Sequence, residues 1–268
     1  MREIVRIDEH AFMEYFLKDL SDEEKAAGKK RPLLLVMPGG AYLNISKRES
    51  NPVAERANQE GFHAAVLHYT VVPQNTALVT DDVLKEAEFC LDKIYEDAEE
   101  KGIDTERIYL VGFSAGGHLA AWSSIRFSDK IAKCILAYGA IAFRTEEMQQ
   151  VMDEESFMNT GEGYSDEEIV WGKGMIRIMG EAPIDALHEN VPPTFLFTTF
   201  DDEVVPYTQT LRYGSRLAEL GVPCEMHIYQ RGGHGLSLAD ESSAEKEEQI
   251  IPHVAVWFEQ AVSWLKGY

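Results

Sequence analysis

The sequence predicts an α/β protein built on a mostly parallel central sheet with helices on both faces. Short apolar runs and segments of helical period alternate along the chain. The runs are too continuously apolar for strands with one wet face, which points to parallel strands buried on both sides. Glycine or proline stands at most of the boundaries between elements.

After an amphipathic opening segment and a charged stretch from Ser21 to Arg31, Pro32 to Met37 reads as a buried strand ending in Pro38-Gly39-Gly40. Asn51-Pro52 offers an N-cap and a proline at the first helical position, and Gly61 closes that helix. A strand follows at Phe62 to Tyr69. Val83, Leu84, Ala87, Cys90, Leu91 and Ile94 then recur at helical spacing with Lys and Glu on the other face, so a helix runs on toward Gly102. Arg107 to Phe113 is the next strand, and the helix from Ala115 to Trp122 follows it with only Ser114 between. Strands at Ile131 to Ala137, Thr194 to Phe200 and Cys224 to Tyr229, and helices at Tyr207 to Leu220 and Pro252 to Lys266, complete the pattern.

Between 141 and 190 the alternation stops. Aromatics and methionines there lie among acids, with 12 acids against 2 bases from 146 to 189. A segment of that length between two strands predicts a helical, cap-like insertion over one sheet edge rather than a bare loop. No repeat, low-complexity tract or linker divides the chain, so one domain is expected over its 268 residues, enough for a substantial core.

With 46 acidic against 25 basic side chains the net charge is −21, which repels phosphate backbones and anionic lipid surfaces. Nucleic acid and membrane surfaces are therefore not expected partners; a small neutral or cationic ligand is. No apolar stretch approaches the roughly 20 residues of a membrane span. The opening residues mix acids with bases and lack the apolar core and cleavage site of a secretory signal, so the cytoplasm is the expected location. Cys90, Cys134 and Cys224 are far apart and show no metal-ligand spacing. Each lies in an apolar pattern and is expected to be a small buried hydrophobe. No metal and no cofactor is expected.

Gly112-Phe113-Ser114-Ala115-Gly116 matches Gly-x-Ser-x-Gly, of which about 0.08 are expected by chance from 14 serines and 20 glycines in 268 residues. Its context adds to it, because the motif stands where an apolar strand turns straight into a helix. Such a turn thrusts the serine hydroxyl over the end of the sheet, and the helix N-terminus behind it favours developing negative charge. A serine hydroxyl becomes a nucleophile when a histidine takes its proton, and the histidine needs an acid to fix its tautomer. Asp201-Asp202-Glu203 follows the strand ending near Phe200, and Gly232-Gly233-His234-Gly235 follows the strand ending near Tyr229, so that serine, acid and histidine come in the order expected on this fold. The residues do not separate Asp201 from Asp202: one orients the base while the other caps a helix or turns outward. Gly39, Gly40 and Ala41, after the first apolar strand, can bring backbone N–H groups close to a reacting oxygen, and the Ala115 N–H supplies the other side.

Pro38-Gly-Gly-Ala-Tyr42, Gly112-Phe-Ser-Ala-Gly-Gly-His-Leu-Ala120, Asp202-Glu-Val-Val-Pro206 and Gly233-His-Gly-Leu236 together resemble the α/β-hydrolase superfamily, from about residue 31 to the C-terminus. Within it they look like the small bacterial esterases related to acetyl-xylan esterases and hormone-sensitive-lipase-like carboxylesterases. The resemblance implies Ser114 as nucleophile, His234 as base and Asp202 as acid, since the family's aspartate stands four residues before the proline. It places Gly40, Ala41 and Ala115 on the oxyanion-hole positions. His118 matches the family's Ser-Ala-Gly-Gly-His run and reads as a structural residue or one that supports the site from behind, because a helix position four residues on points away from the serine's leaving-group side. The family's His-Gly-Gly-Gly is Pro38-Gly39-Gly40-Ala41 here, nearer the acetyl-xylan-esterase-like branch.

The expected function is hydrolysis of short acyl esters, acetylated oligosaccharides first and small non-sugar esters second. A peptidase of the prolyl-oligopeptidase kind would need a gating domain for which this chain has no room. A non-catalytic binding protein on the same fold would usually lack one of the three residues. A homo-oligomer is compatible with this reading.

Overall fold

Along β3 (Arg31–Met37) successive side chains leave the sheet on opposite faces, and each face has its own apolar layer. Leu33, Leu35 and Met37 join one cluster while Leu34 and Val36 join the other. A strand can be apolar at every position only when both faces are covered, and this strand lies inside the sheet. The structure, a computed structural model, describes residues 1–71, 79–143 and 182–267.

Among the described residues eight strands form one sheet in the order β1-β2-β4-β3-β5-β6-β7-β8. Besides β3 they are β1 (Arg2–Arg6), β2 (Phe12–Phe16), β4 (His63–His68), β5 (Ile103–Phe113), β6 (Lys133–Ala137), β7 (Thr194–Thr199) and β8 (Cys224–Tyr229). The six strands from β4 to β8 run parallel, and β2 pairs antiparallel with both β1 and β4. The longer helices are α1 (Asp22–Ala26), α2 (Asn51–Gln59), α3 (Val79–Glu96), α4 (Ala98–Lys101), α5 (Ala115–Arg126), α6 (Thr208–Glu219), α7 (Pro252–Ala255) and α8 (Trp257–Lys266). Cys90 and Leu91 of α3, Leu119 of α5 and Leu217 of α6 pack on one face. Val53 and Ala57 of α2 and Trp257 and Phe258 of α8 pack on the other. The helix expected toward Gly102 ends there, with Gly102 left-handed at φ 66°, after a break at Asp97. Among the described residues no helix is long and apolar enough to cross a membrane.

The structure departs from the sequence reading at the opening segment, at the start of β5 and at Cys224. The opening segment is a pair of antiparallel strands: β1 alternates exposed and half-buried side chains, and strands of five residues leave too short a periodic signal. β5 begins at Ile103 because Asp104-Thr105-Glu106, although polar, continue the strand at its exposed end. Cys224, expected to be buried, is exposed, because β8 is the last strand of the sheet and alternates exposed and half-buried positions; Cys90 and Cys134 are buried. The insertion expected at 141–190 lies, from 144 to 181, outside the described residues. Its two described ends meet, the Ile184 N–H donating to the Ile141 carbonyl at 3.1 Å.

His63, at the start of β4, is 1% exposed, and its Nδ1 accepts the Lys18 N–H at 3.1 Å. A second ring proton would set one N–H against another. Burial dominates its ionisation, the Gly102 backbone opposes it and the Arg31 charge adds to it, so that the pKa falls to about 4 from 6.5. In the unfolded chain the ring takes up a proton that the native state refuses. The resulting stability is full above pH 6.5, and on the order of 3 kcal/mol of it is lost as pH falls toward 4. His63→Asn, whose Oδ1 can accept the Lys18 N–H, is expected to flatten urea-unfolding stability against pH in that window by about this amount; an unaltered slope would remove His63 as its source.

Candidate active site

β5 ends at Phe113 and α5 begins at Ala115, so Ser114 alone makes the turn. It does so at φ 51° and ψ −116°, a conformation of the order of 1–3 kcal/mol above the ordinary wells for a residue with a Cβ. Neighbouring backbone holds it there. The Ser114 N–H donates to the Ala137 carbonyl at 3.0 Å, and the His118 N–H donates to the Ser114 carbonyl at 3.1 Å. The turn is tight enough to bring α5 against β3: a Cβ on Gly116 would stand 2.0 Å from the Met37 carbonyl oxygen.

Ser114 Oγ lies 2.9 Å from His234 Nε2, and His234 Nδ1 lies 2.7 Å from Asp202 Oδ2. The Asp202 side chain is wholly shielded from solvent and that of His234 is 17% exposed. The carboxylate requires the imidazole proton on Nδ1, which leaves Nε2 to accept from the serine hydroxyl. Asp202 Oδ1 accepts the N–H groups of Val204 and Val205 at 2.9 and 2.8 Å, so the carboxylate is fixed from both sides. The ring of Tyr138 meets that of His234 edge-on, with centroids 5.1 Å apart.

The two aspartates that the residues alone left unresolved have different partners. Asp202 faces His234, while Asp201 Oδ1 accepts the N–H groups of Gly232 and Gly233 at 2.8 and 2.9 Å. Asp201 caps no helix; it stands at the surface and clamps the loop that carries His234. Desolvation works against its charge, but the Gly233 and Gly232 amides and the Thr199 hydroxyl outweigh it and hold the carboxyl below the usual range.

The loop after β3 approaches Ser114 from the other side. A Cβ on Gly39 would be 3.0 Å from Ser114 Cβ. Gly40, Ala41 and Tyr42 follow at φ 121°, 55° and 60°, a left-handed run that curls the loop so that Leu43 and Asn44 both donate to the Gly40 carbonyl. A Cβ at Gly40 would meet the Asn44 carbonyl oxygen at 2.0 Å, which confines the position to glycine. Among the described residues the N–H groups of Gly40, Ala41 and Ala115 donate to no protein acceptor. Tyr42, fully buried, is anchored by its hydroxyl at 2.9 Å from His118 Nδ1, which gives His118 a partner beneath this loop.

Sequence reasoning missed Glu49 and Tyr138, and it met Tyr42 only as the last residue of a motif, with no role. The two tyrosines are hidden among apolar neighbours in their segments, and Glu49, only 3% exposed, stands in a charged run that reads as surface. Among the described residues no group of three or more His, Cys, Asp or Glu side chains is placed to hold a metal ion.

A family model of the α/β-hydrolase fold matches residues 34–238, which span the Gly39–Ala41 loop, Ser114, Asp202 and His234. The chain belongs to the α/β-hydrolase family. It is 24% identical over 254 residues to an acetylxylan esterase of Xylanibacter ruminicola, a match covering 90% of the chain and 50% of that protein. It is 26% identical over 222 residues to endo-1,4-beta-xylanase B of Butyrivibrio fibrisolvens, covering 79% of the chain and 33% of that protein. The chain thus spans between a third and half of the length of these two relatives. A carboxylesterase of Lactobacillus plantarum superposes with a TM-score of 0.81 at 25% identity, over 100% of this chain and 96% of that one.

The close approach of α5 to β3 makes one substitution decisive. Gly116→Val is expected to destabilise the protein by more than about 3 kcal/mol in urea unfolding, since the obstructing atoms are backbone and cannot turn aside. A loss below about 1 kcal/mol would mean that this contact relaxes freely.

Proposed function

We propose that this hydrolase is a serine esterase that removes short acyl groups, acetyl first, from acetylated oligosaccharides of the xylan type. Ser114 is its nucleophile, His234 its base and then acid, Asp202 the residue that orients His234, and Gly40, Ala41 and Ala115 its oxyanion donors. The observation that carries this reading is the continuous hydrogen-bonded path from Asp202 through His234 to Ser114, at 2.7 and 2.9 Å, ending on the strained turn.

In the first step Ser114 Oγ attacks the ester carbonyl while its proton passes to His234 Nε2. The carbonyl oxygen becomes an oxyanion beside the unpaired N–H groups, and Asp202 stabilises the imidazolium. The C–O bond to the alcohol then breaks as His234 returns the proton to the leaving oxygen. Water, deprotonated by His234, attacks the acyl-enzyme, and collapse of the second tetrahedral intermediate releases the acid and restores the Ser114 hydroxyl. No cofactor takes part.

The sugar part of the reading rests on likeness to the acetylxylan esterase and the xylanase. One observation favours a second reading, a general short-chain carboxylesterase. The Lactobacillus plantarum carboxylesterase matches over nearly the whole of both chains, whereas the xylan-related relatives are matched over half their length or less.

Acetate release from acetylated xylo-oligosaccharides, run beside aryl esters of rising acyl length, separates the two. Turnover of the sugar acetates with kcat/KM near or above about 10⁴ M⁻¹s⁻¹ supports the first reading, and turnover of aryl esters alone supports the second. Ser114→Ala is expected to lower kcat/KM by at least about 10³-fold with folding intact. Asp202→Asn should cost about 10³–10⁴-fold and Asp201→Asn no more than about 10-fold. Wild-type turnover by Ser114→Ala protein free of contaminating esterase would reject the mechanism, and the reverse aspartate ranking would exchange their roles.

A further inference from the structure

Glu49 and Tyr138 form a buried polar pair that the esterase mechanism leaves unused. Glu49 stands in the short turn Lys47–Glu49, and Tyr138 is the residue after β6, at φ 38°. The Gly39 N–H donates to Glu49 Oε2 at 2.8 Å, and the Tyr138 hydroxyl donates to Glu49 Oε1 at 2.7 Å. That hydroxyl in turn accepts the N–H of Ser237, three residues past His234, at 2.8 Å. Three segments distant in sequence are thereby joined through one carboxylate and one phenol.

We propose that Glu49 and Tyr138 are positioning residues for the oxyanion donors, a strut that holds the Gly39–Ala41 loop in register with the loop carrying His234. The inference rests on the serine-esterase reading above. By fixing the Gly39 N–H, Glu49 sets the plane of the Pro38–Gly39 peptide, and the left-handed Gly40 and Ala41 carry that orientation on to the next two N–H groups. Tyr138 fixes the other end. Its ring braces His234 edge-on while its hydroxyl ties Ser237, whose Oγ donates to the Arg48 carbonyl at 2.6 Å and whose carbonyl accepts the Trp257 indole N–H at 2.9 Å. Arg48 closes the circuit from the Glu49 side, its guanidinium donating to the Gly235, Leu236 and Ser243 carbonyls.

The chemistry of the pair argues for geometry rather than stability. Among the described residues Glu49 has no cationic partner within ion-pair distance, and a buried carboxylate without one is costly. Tyr138 adds a left-handed backbone at a residue with a large side chain. An apolar pair would fill the same space at lower cost but would not specify how the two loops face one another. Burial, and then the Glu49 charge and hydrogen bond, push the Tyr138 phenol far above its usual range, so it remains a donor throughout the working pH.

Tyr138→Phe and Glu49→Gln test the strut, each keeping the volume of the side chain it replaces. With p-nitrophenyl acetate both variants are expected to lose about 10- to 100-fold in kcat with KM changed less than about threefold. Their affinity for an arylboronic acid, which becomes tetrahedral on Ser114 and places an oxygen among the donors, should fall by a similar factor. The double variant should be no slower than the worse single one, because both break one connection. A fall in melting temperature with kcat and boronate affinity within twofold of wild type would overturn the strut and leave the esterase reading standing. Should Tyr138→Phe fail to fold, Glu49→Gln decides alone by the same two readouts. Absence of Ser114-dependent turnover in the wild-type protein would overturn the esterase reading and the strut with it.

Discussion

The carbonyl oxygens of Met37 and Pro38, at the end of β3, lie so close to Gly116 that a Cβ there would stand 2.0 and 2.4 Å from them, and on this contact between α5 and the neighbouring strand the rest of the site depends. With α5 drawn in, the connection from β5 shortens to one residue, and Ser114 must take a backbone conformation that side chains disfavour. The same contact brings the loop after β3 close to the serine turn, where a Cβ on Gly39 would stand 3.0 Å from Ser114 Cβ. Packing between a strand and a helix therefore sets both the strained serine turn and the approach of the Gly39–Ala41 loop to it.

The strain at Ser114 persists because the sheet around it is over-determined. β5 is flanked on both sides by parallel strands, and both of its faces are covered by apolar layers. A cost of the order of 1–3 kcal/mol at one residue is small against the burial of Leu110, Val111 and Phe113 that holds the turn in place. Parallel strands also carry their C-terminal ends to one rim. Four loops from that rim, after β3, β5, β7 and β8, bring Gly39–Ala41, Ser114, Asp202 and His234 within reach of one another. The two aspartates illustrate the division of labour within one such loop: Asp202 is spent on His234, and Asp201 on the backbone that carries it.

Much of this was legible from residue order, and the reasons are local. Continuous apolar runs mark strands covered on both faces, and a serine between glycines at a strand-to-helix junction marks a turn that no larger flanking residue can make. β1, β2 and the polar end of β5 were not legible, because short strands at a sheet's edge or exposed end need little burial and so leave little pattern. Cys224 misled for the same reason: its neighbours look apolar, but β8 has a partner on one side only. Glu49 left no trace, since a carboxylate in a run of charged residues looks alike whether it faces water or a buried phenol.

What the sequence by itself determined is the chemistry available and its order along the chain: an exposed serine turn, then an acid pair, then a histidine among glycines, on a parallel α/β scaffold. Which aspartate faces the histidine, that Gly39 is held by Glu49, and that Tyr138 links the two sides were decided only by the tertiary structure. The physical reason is range. Hydrophobic period and turn chemistry act over a few neighbouring residues and are written locally, whereas a hydrogen bond between residues 89 positions apart, such as that of Tyr138 to Glu49, exists only once the sheet has brought their loops together.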